Sequence, residues 1–482
     1  MSILVIDVGT SGLRAGVVNP DASITALEHR ATPPSTPFPG MVEFDPAEMA
    51  ATVLEVARAV IERTGPVDAV GVTCQRASTV LWDRATGEPL GPGIGWQDLR
   101  TVFDCIMAKA EHGLGLAPNQ TATKAAWLLA NHAAGRDPAE LCVGTVDSWI
   151  AWTLSGGELH VTDHTNAAVT GLALVDGTAW NPASCTALGL PIELLPRIVD
   201  TSGVVGQASA LPGAPVIAAL VGDQQGSLVG QGCVKPGMAK ITFGTGGMLD
   251  VCTGAPAPKT AHRLANGTFP IVAWSRDGEL TWGAEAVMLS AGTNVEWLVD
   301  DLGVLANPPE SHDVAAQCET TEGVVYVPAL LGLGTPRWDY GARGTLLGVT
   351  RGSGRAQLVR AVLEGVAHRG ADLVEAAEAD TGLSIGSLRV DGGMSTNPTF
   401  VQALANTTGR PIEVSPVVEA TTLGAGFLAG LAIGAWSSLD DVAAAWRPAY
   451  RAEPTAPLDR AEWARAVERA AGWIPDLSAL DF

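Results

Sequence analysis

The sequence predicts an α/β fold made of two similar domains that face a cleft, on three observations. The 482 residues exceed the roughly 250–300 residues that one hydrophobic core can organise, so two domains are expected. Segments with strand patterns alternate with segments with helix patterns, which favours α/β layers. Two β-hairpins with similar Gly/Thr-rich turns occur about half a chain apart, the pattern of a duplicated domain.

The first hairpin spans residues 3–18. An apolar run, Ile3–Ile6, leads into Asp7, a Gly-Thr-Ser-Gly turn and a second apolar run. Glycines let backbone N–H groups approach phosphate oxygens, and the hydroxyls of Thr10 and Ser11 add donors. Asp7 can hold Mg²⁺ through water. Taken alone, the motif is explained at least as well by an ordinary turn with a solvated aspartate.

A helix is predicted from Pro46 to about Arg63. Asp45 can cap its N-terminus, Pro46 suits the first helical position, and Gly65-Pro66 ends it. Apolar residues recur on one face of this helix at Met49, Val53, Val56 and Val60.

The apolar strand Val216–Val221 runs into Gly222-Asp223-Gln224-Gln225-Gly226. Such folds place reacting groups at strand ends, and a carboxylate there can accept the proton of a hydroxyl that attacks a γ-phosphoryl group. A turn aspartate is an equally good explanation of this motif alone. The domain boundary is predicted near Gly232, giving a substrate and phosphate domain at 1–232 and a nucleotide-binding domain at 233–482.

The second hairpin lies at residues 238–251. A strand ending at Phe243 leads into Gly244-Thr245-Gly246-Gly247, and the strand Met248–Val251 follows. Its turn has the same ambiguity as the first turn, but the two hairpins together favour phosphate binding over the simple-turn explanation.

Three elements are predicted after this hairpin: a strand at 323–328, a helix at about 355–380 and a strand at 387–390. The loop Asp391-Gly392-Gly393 follows, and Asn397 then caps a helix that begins at Pro398. The loop offers a flat backbone surface for a purine beside a helix N-terminus that can face phosphates. Asn397 is explained equally well as a plain N-cap.

Composition argues against several other classes of protein. The net charge is −22 and the 29 basic residues are scattered, so no nucleic-acid partner is expected. The Walker A loop is missing, since the dipeptide Gly-Lys never occurs in the sequence. The GxGxxG fingerprint of dinucleotide-binding folds is missing too. Seven cysteines show no CxxC pairs, and no apolar stretch approaches about 18 residues. A cytoplasmic enzyme without a membrane partner is expected.

The motifs collectively resemble the FGGY carbohydrate kinases, the glycerol kinases above all, across nearly the whole chain. The matching segments are Asp7-Val8-Gly9-Thr10-Ser11, Cys74-Gln75-Arg76, Ile94-Gly95-Trp96-Gln97, 144–149, 160–167, Gly222-Asp223-Gln224-Gln225, Phe243-Gly244-Thr245-Gly246, 332–339, 342–351 and Asp391-Gly392-Gly393. The resemblance implies two actin-like, ribonuclease H-like domains with mixed sheets around a central cleft that binds ATP and Mg²⁺.

The resemblance also implies roles for individual residues. Asp223 corresponds to the catalytic base and a metal-facing carboxylate, and Asp7 to the aspartate that holds Mg²⁺ through water. The implied nucleotide contacts are Thr10, Ser11, Arg14, Gly244, Thr245, Gly292, Gly393, Met394 and Asn397. The implied substrate contacts are Arg76, Ala77, Trp96, Asn119, Asp223, Gln224 and Met248.

Three of these substrate positions differ from the glycerol kinases. A glutamate that bonds a glycerol hydroxyl is Ala77 here, a tyrosine is Asn119, and a phenylalanine is Met248. The lost carboxylate and ring predict an acceptor polyol or sugar larger than glycerol. The alternatives are glycerol itself, if neighbouring groups fill the space, and an Hsp70-like or actin-like ATPase that controls a protein partner. A homodimer is also expected.

Overall fold

The computed structural model describes residues 1–480 and has the α/β fold expected from the sequence. The strands are β1 Ile3–Val8, β2 Gly12–Val18, β3 Ile24–Ala31, β4 Glu43–Phe44, β5 Ala69–Cys74, β6 Thr79–Asp83, β7 Gly93–Ile94, β8 Leu141–Thr145, β9 Val161–Asp163, β10 Arg197–Val199, β11 Ser202–Gln207, β12 Val216–Gly222, β13 Ala239–Phe243, β14 Gly247–Gly254, β15 Phe269–Arg276, β16 Glu279–Met288, β17 Val325–Val327, β18 Thr345–Leu347, β19 Leu388–Asp391, β20 Ile412–Val414 and β21 Tyr450–Ala452.

The α-helices are α1 Pro46–Thr64, α2 Val102–His112, α3 Thr121–His132, α4 Val146–Leu154, α5 His164–Ala168, α6 Pro182–Ala187, α7 Asp223–Gly230, α8 Thr293–Asp300, α9 Glu310–Ala315, α10 Arg355–Thr381, α11 Pro398–Thr408, α12 Ala420–Ala432, α13 Leu439–Ala445, α14 Arg460–Ala470 and α15 Pro475–Ser478. Short 3₁₀ helices occur at Pro138–Glu140, Ile192–Leu194 and Gly393–Thr396. Among residues 1–480, no helix combines the length and the apolar character needed to cross a membrane.

One strand arrangement occurs twice in the main sheet. In the first half, β3, β2 and β1 are antiparallel neighbours, and β5 and β12 continue the sheet parallel to β1. In the second half, β16, β14 and β13 are antiparallel neighbours, and β19 and β20 continue parallel to β13. The predicted duplication is therefore confirmed. Within the sheet, the described strands of the two halves are joined by one bridging pair of residues, Ser202 on β11 and Arg276 on β15.

Local sequence signals explain where three of the helices begin or end. Helix α1 begins at Pro46 as predicted, because the Asp45 carboxylate accepts hydrogen bonds from two N–H groups of its first turn. Helix α10 ends before Gly382, which adopts a left-handed conformation with φ 70°. Helix α11 is capped by Asn397, whose side chain accepts from the Phe400 N–H. Each of these predictions is confirmed.

Helix α12 lies in the second half of the chain but packs against the first-half sheet. It contacts α7, β5, β12 and β1, and it contributes Leu423, Phe427 and Leu428 to the same apolar cluster as strand β1. Glycines bring it close to α7, because a β-carbon on Gly424 would lie only 1.8 Å from the carbonyl oxygen of Gly226. This contact ties the helix that begins at Asp223 to the second half.

Candidate active site

The first hairpin places Asp7 at the end of β1, directly across from Arg14 on β2. The Asp7 side chain is buried, and its Oδ2 lies 3.7 Å from Nη1 of Arg14. Burial raises the pKa of Asp7 to about 7, while Arg14 opposes the rise and Asp223 adds to it. Arg14 also lies 3.3 Å from Glu419, which precedes α12. Asp7 is thus a desolvated carboxylate that a cation would stabilise in its charged form.

The turn of this hairpin is linked to the predicted substrate residue Trp96. Its indole Nε1 donates to the Thr10 hydroxyl at 3.0 Å, and its backbone N–H donates to Ser78 at 3.0 Å. Ser78 in turn donates to the side chain of Gln75 at 3.0 Å. Ser11, the other predicted phosphate donor, is exposed. These bonds hold Trp96 against the hairpin.

Asp223 is the first residue of α7, directly after β12. Its Oδ1 accepts the Gln224 N–H at 2.8 Å and lies 3.6 Å from Nε of Arg76. Burial raises the pKa of Asp223, and the positive charge of Arg76 opposes that rise. Its side chain nevertheless keeps 29% of its surface exposed. The carboxylate is therefore accessible and desolvated enough to be a stronger proton acceptor than a solvated aspartate.

A buried network fixes the strand end that carries Asp223. The Gly222 N–H donates to the Thr165 hydroxyl at 2.9 Å, and that hydroxyl donates to Asp163 at 2.9 Å. Asp163 also caps helix α5 and accepts from Thr201 at 2.7 Å. Because these groups are buried and bonded to one another, the position of Gly222 is well determined.

The second half of the sheet contributes a charged face. Lys240 Nζ lies 2.7 Å from Oδ2 of Asp250, both side chains being fully buried, and it also donates to Oε1 of Gln224 at 2.7 Å. Met248 and Asp250 are two residues apart on β14, so they share this face. Glu285 lies opposite Asp250 on β16, and its Oε2 accepts from Nη2 of Arg76 at 2.6 Å. Burial raises the pKa of Glu285.

The predicted nucleotide residues of the second half meet at the second hairpin. The Gly292 N–H donates to the carbonyl of Gly244 at 2.9 Å, and Met394 lies 4.0 Å from where a β-carbon of Gly292 would be. A β-carbon on Gly244 or on Gly393 would have no atom within 4 Å, so both backbones border open space. Thr245 is exposed beside them. This arrangement leaves room for a ligand against both loops.

Two predicted residues stand apart from this group. Asn119 is exposed in the turn before α3, and among the described residues its side chain forms no hydrogen bond with the other site residues. Asn397 is engaged as the cap of α11, and its Nδ2 donates to Ser311 at 3.0 Å. The cap explanation of Asn397 is therefore confirmed, while a nucleotide contact stays a prediction.

Ala77 has an unexpected backbone. Its φ of 62° is in the left-handed region, which costs a non-glycine residue about 1–2 kcal/mol. Its carbonyl accepts from the hydroxyls of Thr79 and Thr121, each at 3.2 Å. Strain of this kind is commonly retained at functional sites.

Sequence reasoning missed Lys240, Asp250, Glu285 and Glu419 as members of this site. A signal was present for the first three, because each is a charged residue between two apolar neighbours in a strand. That signal alone does not distinguish an edge facing solvent from a buried site.

Comparison with known families assigns both halves of the chain. The model of the FGGY family of carbohydrate kinases, N-terminal domain, matches residues 2–230, and the model of the C-terminal domain matches residues 239–433. The predicted boundary near Gly232 is a finer statement and stays a prediction.

Two curated glycerol kinases are similar to this chain over nearly its whole length. A glycerol kinase of Aromatoleum aromaticum is 42% identical over 495 residues, covering 98% of this chain and 99% of that protein. A glycerol kinase of Deinococcus radiodurans is 39% identical over 499 residues, covering 99% of each.

Solved structures share the fold over the whole chain. The crystal structure of Plasmodium falciparum glycerol kinase with ADP superposes with a TM-score of 0.90 at 28% identity, covering 97% of this chain and 98% of that one. A xylulose kinase from Brucella ovis gives a TM-score of 0.83 at 27% identity over all of both chains. The chain therefore belongs to the FGGY family of carbohydrate kinases, phosphotransferases with an alcohol group as acceptor.

Proposed function

We propose that this chain is a glycerol kinase that transfers the γ-phosphoryl group of ATP to a hydroxyl of glycerol. The observation that carries the proposal is the 42% identity to a glycerol kinase across 98% of this chain. The geometry around Asp223 supports it, because this desolvated carboxylate lies 3.6 Å from Arg76 at the strand end. The positive charge of Lys240, which bonds the neighbouring Gln224, also acts on this carboxylate.

Asp223 accepts the proton of the attacking hydroxyl. Burial raises the pKa of Asp223, which makes it a better proton acceptor, and the positive charge of Arg76 opposes that rise. Arg76, Trp96 and Gln224 hold the acceptor beside Asp223. Gln224 is itself oriented by Lys240, so its amide donor is directed away from that ammonium group.

The nucleotide and metal fit the open space in the cleft. Gly244 and Gly393 can approach phosphate and adenine because no atom occupies the position of a β-carbon at either residue. Thr10, Ser11, Arg14 and Thr245 add donors to the phosphates. Asp7 and Asp223 are the carboxylates available to Mg²⁺. When bound, ATP would supply the γ-phosphoryl group and Mg²⁺ would offset its negative charge.

The relatives favour glycerol over the larger acceptor that Ala77, Asn119 and Met248 predicted. Xylulose is the second candidate, since a xylulose kinase shares the fold at 27% identity over the full length. Family membership favours a kinase over the actin-like ATPase alternative.

A coupled ADP-release assay tests the proposal. The panel contains glycerol, C4 to C7 polyols, xylulose, aldonates and a blank without acceptor. We expect kcat/KM for glycerol to exceed that for every other compound by roughly tenfold or more, the effect of about 1.4 kcal/mol. A longer acceptor with a higher kcat/KM than glycerol would replace glycerol as the proposed substrate. If ADP were released at the same rate with and without an acceptor, the actin-like ATPase alternative would be favoured. Homodimer formation and a cytoplasmic location stay predictions, and light scattering tests the first.

A further inference from the structure

Glu285 is a buried carboxylate with no assigned role. It lies on β16 between Ala284 and Ala286, and only 8% of its surface is exposed. A lone carboxylate inside a sheet costs several kcal/mol unless charges and hydrogen bonds compensate. Its one ion pair among the described residues is with Arg76, at 2.6 Å.

Sheet register places this carboxylate at the candidate site. Glu285 pairs with Asp250, and Val287 pairs with Met248, on strands β16 and β14. Residues opposite each other on neighbouring strands share a face, so Glu285 shares the face of Met248, a predicted substrate residue. The facing group from the first half is Arg76, which also lies 3.6 Å from Asp223. One guanidinium therefore separates Glu285 from the candidate base.

Arg76 and Glu285 both have hydrogen-bonding groups that are not used in their mutual bond. Nη1 of Arg76 is buried and has no acceptor. Among the residues that the structure describes, no donor contacts Oε1 of Glu285. A guanidinium offers five donors and a carboxylate about four acceptor sites, so one mutual bond leaves both unsatisfied. A hydroxyl group can accept from the first and donate to the second.

No other nearby group among the described residues is available to accept a hydrogen bond from such a hydroxyl. Ala77, which follows Arg76, has no polar side chain, and the side chain of Asp250 is fully buried against Lys240, at 2.7 Å, so no ligand can reach it. Asp223 has to remain free to take the proton of the attacking hydroxyl. Glu285 is thus the carboxylate available to a second hydroxyl of the acceptor.

We infer that Glu285 is a specificity-determining residue that accepts a hydrogen bond from a non-reacting hydroxyl of the acceptor, an inference that rests on the proposed function for the choice of glycerol. The residue comes from the second half of the chain, whereas Arg76 and Asp223 come from the first half. The acceptor is therefore held by both halves at once.

Kinetics with deoxy acceptors test this assignment. Glu285→Ala and the isosteric Glu285→Gln are compared with wild type on glycerol, 1,2-propanediol and 1,3-propanediol. We expect Glu285→Ala to raise the KM for glycerol by roughly 10- to 100-fold, the effect of losing a hydrogen bond to a charged group, with a smaller change in kcat. With the diol that lacks the contacted hydroxyl, variant and wild type should agree within about twofold.

The matched control is Glu279→Gln, an exposed glutamate at the far end of the same strand, which should leave all kinetic constants unchanged. A penalty of equal size on all three acceptors, or no penalty, would overturn the inference, because a merely structural role does not depend on one hydroxyl. Melting curves verify folding, and Glu285→Gln serves if the alanine variant fails to fold.

The proposed function can fail separately. If the wild-type protein does not phosphorylate glycerol but does phosphorylate another compound of the panel, wild type and the Glu285 variants are compared on that compound and its deoxy forms. Glu285 then either shows the hydroxyl-dependent penalty, which supports the inference, or does not, which refutes it.

Discussion

Nε of Arg76 lies 3.6 Å from Oδ1 of Asp223, and the same guanidinium bonds Glu285 at 2.6 Å. Arg76 therefore remains paired when the charge of Asp223 is removed. We expect Asp223→Asn to fold and to bind MgATP nearly as wild type does, while kcat falls by roughly 10²–10⁴-fold, the usual effect of losing a general base.

A coupled assay gives kcat for this variant and calorimetric titration gives the affinity for MgATP. Asp301→Asn, an exposed aspartate, is the control and should behave as wild type. Near-normal kcat in Asp223→Asn would remove this residue from the mechanism.

The glycine loops give a second prediction. Gly244→Val and Gly393→Val should each weaken ATP binding, because the added side chain occupies the space that the nucleotide needs. Neither change should impair folding, since the added β-carbon has no atom within 4 Å at either residue. Gly386→Val is the matched control, with equally open space in the loop before β19. Unchanged affinity in both folded variants would place the nucleotide elsewhere.

The sequence was sufficient for features that local chemistry determines. Asp45 and Asn397 could be assigned as caps, and Asp7 and Asp223 as candidate site residues, because turn and cap preferences act within a few residues. The pair Arg76 and Glu285 could not be found this way. Its members are 209 residues apart and come from opposite halves of the chain, so only the tertiary fold brings them together. The register of β14 and β16 sets which face of the sheet carries Glu285. A one-residue shift would have put Glu285 on the other face.

The return of helix α12 to the first half was also beyond sequence reasoning. The helix has an apolar surface nearly all round, so its pattern does not say which of two sheets it covers. The close approach of Gly424 to Gly226 is visible only in three dimensions.

A hydrogen bond between the halves gives a third prediction. The Ser227 hydroxyl on α7 donates to Oδ2 of Asp391 at 3.0 Å, and the other carboxylate oxygen is buried without a partner. Ser227→Ala leaves that buried carboxylate unbonded, so we expect stability to fall by about 1–3 kcal/mol. Ser148→Ala is the control, because its buried hydroxyl has no partner to lose. Thermal melts compare the two, and equal shifts would contradict the argument.

The last prediction concerns the stability of the nucleotide-free protein as a function of pH. Burial raises the pKa of Asp7 from 3.8 to about 7, so the folded state binds this proton more tightly than the unfolded state. The stabilising contribution of this proton is fully present below the unfolded pKa of 3.8 and is lost as pH rises to the folded value of about 7. The loss can reach about 1.4 kcal/mol per pH unit within that window.

Asp7→Asn removes the titration, so the variant should melt above wild type at pH 8, and the difference should shrink as the pH falls to 5. Melting curves with EDTA measure it, since a bound cation would stabilise the charged form of Asp7. Asp21→Asn is the control: hydrogen bonds from Ser23 lower the pKa of Asp21, so this carboxylate is charged throughout the range and its removal should shift melting equally at pH 5 and pH 8. A pH-independent difference between Asp7→Asn and wild type would show that Asp7 stays ionised in the folded protein. The burial of its carboxylate would then be fully compensated by Arg14, at 3.7 Å.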